Sequence, residues 1–160
     1  VSVIAVTGIR DLHPDSESAV AGAIALALAA PATELRFGGA RGVDTVALAA
    51  ALAAREARGH EARLHVFVPG RATEQPLEAL DAIRRADLVT ELGLPRGRAW
   101  TYLKRNEAML AGADSVLAFT DGRADGGTAA TIALAHARGI PVTLVRVSGT
   151  EPRPLELFRD

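Results

Sequence analysis

Short apolar runs rich in β-branched residues alternate along this chain with longer stretches in which alanine and leucine recur at helical spacing. Residues 1–6 form the first run and stop at Thr7-Gly8, as a buried parallel strand does. Further strands are predicted over 35–37, 63–68, 87–92, 115–119 and 141–147. Between them lie helices. Asp15-Ser16-Glu17 marks a helix start, with Asp15 as N-cap, and alanine and leucine continue to Ala30. Residues 43–58 form an alanine-rich helix closed by Gly59. Pro76 fits the first turn of a helix over 76–85. Residues 100–111 read as a helix capped by Gly112, and 128–138 as the last. Strictly alternating strands and helices call for an α/β fold: a Rossmann-like, doubly wound, mainly parallel sheet of about six strands with helices on both faces. From Ser148 onward, Pro152 and Pro154 predict an irregular tail, so 1–160 reads as a single domain.

Composition narrows the class. With 49% apolar residues in 160, one domain can bury a sizeable core. Without cysteine, disulfides and thiolate metal sites are excluded. The run from Ala19 to Ala32 is too short and too weakly apolar to span a bilayer, and no signal-peptide pattern opens the chain, so a cytoplasmic protein without membrane contact is expected. Basic and acidic residues nearly cancel, 18 against 19, which argues against wholesale coating of nucleic acid. All the basic residues but Lys104 are arginine.

In an open doubly wound sheet, ligands bind beyond the carboxyl ends of the strands where strand order reverses. The loops at those ends carry Arg10, Arg41, Arg71, Arg96, Arg98 and Arg123, with Lys104 and Arg105 in the helix after the fourth strand. Asp11, Asp44, Glu74, Glu91, Asp121 and Asp125 share these loops. Such a mixture suits a phosphorylated small molecule with hydroxyls better than a bare polyanion. Three glycine loops converge there: Gly8 to Arg10, Gly38-Gly39-Ala40-Arg41-Gly42-Val43-Asp44, and Gly126-Gly127-Thr128. Glycine lets backbone N–H groups approach an anion, and a helix starting at Thr128 adds a favourable dipole. The competing reading makes Gly126-Gly127 a tight turn with Asp125 as helix cap. Asp15 and Glu17 place negative charge at the start of the first helix, so a phosphate near Arg10 would rest on loop amides. Asp44 is read as a helix cap or organiser of the arginine loop.

Arg105-Asn106 combines a planar donor fork with an amide, suited to phosphate plus ribose or base. Against this stands pairing of Arg105 with Glu91 or Glu107 and a solvated Asn106. Trp100 and Tyr102 could stack on a base, or Trp100 could pack in an interface. The four histidines lack metal-site spacing, no serine lies in a nucleophile elbow, and the first loop is not Gly-x-Gly-x-x-Gly, so neither a metal nor a dinucleotide fingerprint is present and the cofactor is unknown.

Gly8-Ile9-Arg10, Gly38 to Asp44, Arg105-Asn106-Glu107-Ala108-Met109-Leu110, Ala113 to Phe119 and Gly126-Gly127-Thr128 together resemble the SLOG superfamily, which shares a Rossmann-like nucleotide-binding domain. The order Arg-Asn-x-x-Met-Leu, Val-Leu-Ala-Phe, Gly-Gly-Thr is similar to the small stand-alone YspA-type proteins. Gly38 to Asp44, Leu88 to Glu91 and Arg105-Asn106 are similar to the central domain of the DprA branch. The YspA resemblance implies a nucleotide ligand, and with the convergent glycine loops and arginines it leads to the expectation of a nucleotide or nucleotide-derived phosphate bound by Gly8, Arg10, Gly38, Gly39, Arg41, Asp44, Arg105, Asn106, Gly126, Gly127 and Thr128. The DprA resemblance implies single-stranded DNA, along a basic groove through Arg96, Arg98 and Lys104. It also implies accessory domains for which this chain has no room. The LOG branch implies phosphoribohydrolase chemistry from a glutamate soon after the Gly-Thr loop. Here Ala129, Ala130, Thr131 and Ile132 follow Thr128, so that chemistry is disfavoured and no residue is assigned a catalytic role. Related proteins commonly pair, and a homo-oligomer is expected.

Overall fold

A computed structural model describes residues 2–30 and 32–150, with the backbone alone at 32 and 33. Six parallel strands form one sheet in the order β4-β3-β2-β1-β5-β6: β1 (Ser2–Gly8), β2 (Ala32–Phe37), β3 (Arg63–Val68), β4 (Leu88–Glu91), β5 (Ser115–Thr120) and β6 (Val142–Arg146). The helices are α1 (Glu17–Ala29), α2 (Val43–Arg58), α3 (Leu77–Arg85), α4 (Ala99–Leu110) and α5 (Gly126–Ala137). The α/β, Rossmann-like architecture is the one the alternation predicts.

Successive strands from β1 to β4 step outward in one direction, so α1, α2 and α3 lie side by side on one face. α4 then carries the chain back across the sheet to β5, and α4 and α5 pack together on the other face. Strand order therefore reverses between β1 and β5. The larger core lies under α1–α3, where α2 turns Val43, Ala47, Leu48, Ala51 and Leu52 inward at helical spacing against Val6, Leu35, Phe37, Leu64 and Val66. Each such Val or Leu contributes about 1.5–3 kcal/mol by leaving water, so this face dominates stability. The smaller core under α4 and α5 joins Ala5, Leu110, Val116, Ala118 and Ala135.

Several boundaries differ from the sequence reading. A 3-10 turn, Pro14–Ser16, precedes α1, and its cap is His13, whose Nδ1 accepts from the Asp15 amide. Asp15 is thus inside the turn and is not the N-cap of α1; that place falls to Ser16. β2 starts at Ala32 rather than 35. Pro76 lies just before α3, and α5 starts at Gly126, taking both glycines into its first turn. Beyond β6, Ser148–Thr150 return to the β1–α1 loop: His13 N donates to Ser148 O, and Thr150 N to Asp11 O. Pro152 and Pro154 lie outside the described residues.

On the α4 side, β2 and β3 carry a polar row instead of an apolar one. Arg36 Nε donates to Glu34 Oε1 at 3.1 Å, His65 Nδ1 lies 2.8 Å from the same oxygen, and His65 Nε2 lies 2.7 Å from Thr90 Oγ1. Burial alone would raise the Glu34 carboxyl, yet the hydrogen bonds from His65 and Arg36 outweigh it and hold it below the usual range. Arg36 Nη1 also donates to the carbonyls of Met109 and Ala111, satisfying the C-terminal end of α4 and fixing that helix on the sheet.

Candidate functional site

An open cleft of about 1190 Å³ lies at the β1–β5 reversal, beyond the carboxyl ends of the strands. It is walled by the β1–α1, β2–α2 and β5–α5 loops, the inward side of α4, and Gly149-Thr150.

The first two loops are locked together by missing side chains. A Cβ at Gly8 would lie 2.4 Å from Val43 Cγ1, and one at Gly42 would lie 2.2 Å from the Arg10 carbonyl oxygen. Val43 N donates to Ile9 O at 3.0 Å across this contact. Gly42 also has φ of 77°, the left-handed region that favours glycine. Asp44, buried in the first turn of α2, folds back on its own loop and accepts from the Ala40 amide at 3.1 Å, while Thr45 Oγ1 donates to Ala40 O at 2.8 Å. The aspartate organises the turn. Burial pushes its carboxyl up, opposed by the nearby Arg105 charge and the loop amides.

Arg105 reaches this loop from α4. It is 6% exposed, donates from Nη1 to Gly38 O, and from Nε to Asn106 Oδ1 at 2.9 Å. Among the described residues, neither its Nη2 nor the Asn106 amide nitrogen has a hydrogen-bond partner, and both residues line the cleft. Pairing of Arg105 with Glu91 or Glu107 is not what forms. Glu91 accepts from the Ala72 amide and Glu107 from Lys104. Gly38 is the hinge of this arrangement, because a Cβ there would lie 2.7 Å from Asp44 Oδ2 and 2.8 Å from Arg105 Nη1.

At the opposite wall, α5 begins at Gly126 with φ of 92°, and its cap residue Asp125 makes no side-chain hydrogen bond to the helix. The amides of its first turn therefore lack the side-chain cap that commonly satisfies them. Thr131 Oγ1 donates to Gly127 O and holds the turn from behind.

Four arginines and four aspartates line the cleft: Arg10, Arg41, Arg105 and Arg123 with Asp11, Asp44, Asp121 and Asp125. Arg41 Nη2 is bound to Asp11 Oδ1 at 3.0 Å, and Arg123 Nε lies 3.2 Å from Asp121 Oδ2. Arg10 differs. Among the described residues it has no acidic partner within ion-pair distance, and its guanidinium carbon lies 4.6 Å from the centre of the Tyr102 ring. Arg105 lies 5.9 Å from the same centre. Tyr102 thus supports two cations instead of standing free.

Ten of the eleven sequence-predicted residues face one cleft; Gly39 does not. It is buried with φ of 73°, and a Cβ there would meet Val68 and Val66, so its role is packing of the loop against the core. Trp100 is half exposed on α4 and does not line the cleft. Of the proposed basic groove, Arg96 is engaged with Glu74 and Lys104 with Glu107. Sequence reasoning missed Gly149-Thr150, which no local motif marks, and a smaller cleft of about 550 Å³ beyond β3 and β4 that shares Arg10, Arg41, Tyr102 and Arg105 with the larger one. Among the described residues no helix is long and apolar enough to cross a membrane.

No protein-family model and no curated protein matches the sequence. Solved structures do match its shape. DNA processing protein A from Helicobacter pylori, described for its single-stranded DNA binding mode, superposes with a TM-score of 0.69 at 19% identity over 94% of this chain and 68% of that one. DprA from Streptococcus pneumoniae gives 0.70 at 18% over 92% of this chain and 51% of that one, so this chain spans about half of its length. The molybdenum cofactor binding protein from the phototrophic bacterium Rippkaea orientalis gives 0.61 at 24% over 92% and 77%. The chain therefore shares the Rossmann-like α/β fold of these proteins.

Proposed function

We propose that this protein binds a nucleotide or nucleotide-derived phosphate in the cleft between β1 and β5. The observation that carries the reading is the pairing of two anion-seeking features across one cleft: the first turn of α5 at Gly126–Thr128, without a side-chain cap from Asp125, and a cation wall of Arg10 and the buried Arg105, whose Nη2 has no partner among the described residues. The helix terminus supplies amide donors and a favourable dipole for a phosphate, with the Thr128 hydroxyl as a further donor. Asn106, with an amide nitrogen unpartnered among the described residues, offers donors to a ribose or base. Asp11, Asp121 and Asp125 leave acceptors for ligand hydroxyls on the same walls. The two solved relatives of stated ligand bind single-stranded DNA or molybdenum cofactor, and phosphate is common to both chemistries.

No group in the cleft is assigned to bond-making. The carboxylate that a phosphoribohydrolase would place after the Gly-Thr loop is absent, and Asp44 is committed to its turn. Titration calorimetry with AMP, GMP, ribose 5-phosphate and inorganic phosphate tests the reading. Saturable binding weakened by Arg10→Ala supports it; no heat with any of the four overturns it.

A further inference from the structure

The smaller cleft is separated from the larger by a wall of shared residues, Arg10, Arg41, Tyr102 and Arg105. Its own sides are fixed. Thr101, fully buried, donates from Oγ1 to Pro95 O at 2.8 Å, and Leu94 N donates to Pro69 O at 2.7 Å, so the loops after β3 and β4 are tied to each other and to α4. Glu74 Oε1 accepts from the Arg71 amide at 2.9 Å while its other oxygen lies 3.4 Å from Arg96 Nε. The lining combines apolar faces of Pro69, Leu94 and Pro95 with the Gln75 amide, whose Nε2 is spent on Arg71 O. Its oxygen has no hydrogen-bond partner among the described residues. Apolar surface from Pro69, Leu94 and Pro95, the Gln75 carbonyl as acceptor, a Glu74 carboxylate already engaged with Arg96, and a volume of about 550 Å³ suit a single nucleobase with its sugar.

Resting on the nucleotide reading of the main cleft, we infer that the site is bipartite and takes two nucleoside units joined through a phosphate. The first unit occupies the main cleft with its 5′-phosphate on α5. The linking phosphate crosses the wall at Arg10 and Arg41, and the second nucleoside packs between Pro69 and Pro95. Arg10 suits the crossing because its backbone is pinned by Gly42 while its guanidinium rests on Tyr102 without an acidic partner among the described residues. A free dinucleotide and a short strand present the same chemistry.

The test compares AMP, the 5′-phosphorylated dinucleotide pApA and a ten-residue oligodeoxyadenylate by calorimetry, on the wild-type chain and on Gln75→Trp, which fills the smaller cleft. Gln75→Ala, checked for folding by circular dichroism, guards against a misfolded tryptophan variant. The expected result is pApA binding about 10-fold tighter than AMP, the increment of one packed base. The ratio falls toward one in Gln75→Trp and remains above it in Gln75→Ala. If the oligonucleotide exceeds pApA, with an affinity that drops with salt, the bipartite site belongs to a strand; if it does not, to a free dinucleotide. If AMP binds and pApA is no tighter, or the ratio ignores Gln75→Trp, the bipartite site is overturned while the nucleotide reading stands. If none binds, both fall together.

Discussion

The guanidinium of Arg105 donates to the carbonyl oxygen of Gly38, joining the helix that crosses back over the sheet to the loop that follows β2. The contact ties two elements that are distant in sequence, and it is buried. Removing the charged donor leaves the buried Gly38 carbonyl without its hydrogen bond, a loss of about 2 kcal/mol. Arg105→Ala is therefore expected to lower urea-unfolding stability by about that amount. Arg105→Lys keeps the charge but cannot serve Gly38 and Asn106 from one plane, and should recover only part. A loss within experimental error would show that the contact does not hold the wall.

Gly42 and Gly126 both have positive φ, yet substitution should separate them. At Gly42 an added methyl meets the Arg10 carbonyl, a backbone atom that cannot rotate away. Gly42→Ala is expected to cost more than about 2 kcal/mol by chemical denaturation. At Gly126 the space is open, and only the left-handed strain of about 1–2 kcal/mol remains. Equal losses at the two sites would contradict the contact.

Arg10 and Arg41 stand in neighbouring loops and differ in what neutralises them. Arg41 is held by Asp11, whereas Arg10 rests on Tyr102. Arg10→Ala is expected to weaken AMP binding about 10-fold at low salt, the scale of one charge-assisted hydrogen bond, with little change in melting temperature. Arg41→Ala should have the smaller effect, since its charge is already compensated. The order reversed in calorimetry would assign the anion to Arg41.

Asp87 gives the fold an acid-sensitive joint. Arg55 holds its carboxylate through both guanidinium nitrogens, at 3.0 and 2.6 Å, and the Leu64 amide donates to it at 2.7 Å; these keep its pKa below the ordinary value despite partial burial. A carboxyl with a lowered folded pKa adds stability that is complete above the unfolded pKa near 3.8 and is lost as pH falls through the folded one. Asp87→Asn should lower stability at pH 7 and leave a shallower loss below pH 4. A mutant curve parallel to wild type across that window would remove Asp87 as the source.

Strand, helix and loop positions were readable because parallel strands buried on both faces, such as β5 over residues 116–119, are continuous apolar runs bounded by turn residues. The glycine loops were readable too, because the close approaches at Gly8, Gly38 and Gly42 exclude side chains. Long-range partners were not. Nothing near Arg105 in sequence indicates Gly38, and local acids such as Glu107 are the natural guess. Gly39 resembled its neighbours by composition, although its missing side chain faces Val66 and Val68 instead of the cleft. The row of Glu34, Arg36 and His65 left a trace, polar residues alternating with buried Leu35, Phe37 and Leu64 in central strands. Period-two patterning alone does not say that such residues satisfy one another across three strands.

The strand order also dictates a timetable. β1 to β4 with α1 to α3 join neighbours in sequence, whereas β1 and β5 meet only after the intervening chain is in place, as in the bond from Val3 N to Asp114 Oδ2 across 111 residues. Contacts closed over such distances are slow to form, because the entropy of the whole loop is lost before they repay it. The seam where the cleft lies is thus expected to close late in folding, which hydrogen exchange of β1 against β5 would check. A compound spanning it would act chiefly on the unfolding rate, lengthening the lifetime of the native chain while leaving the speed of folding nearly untouched.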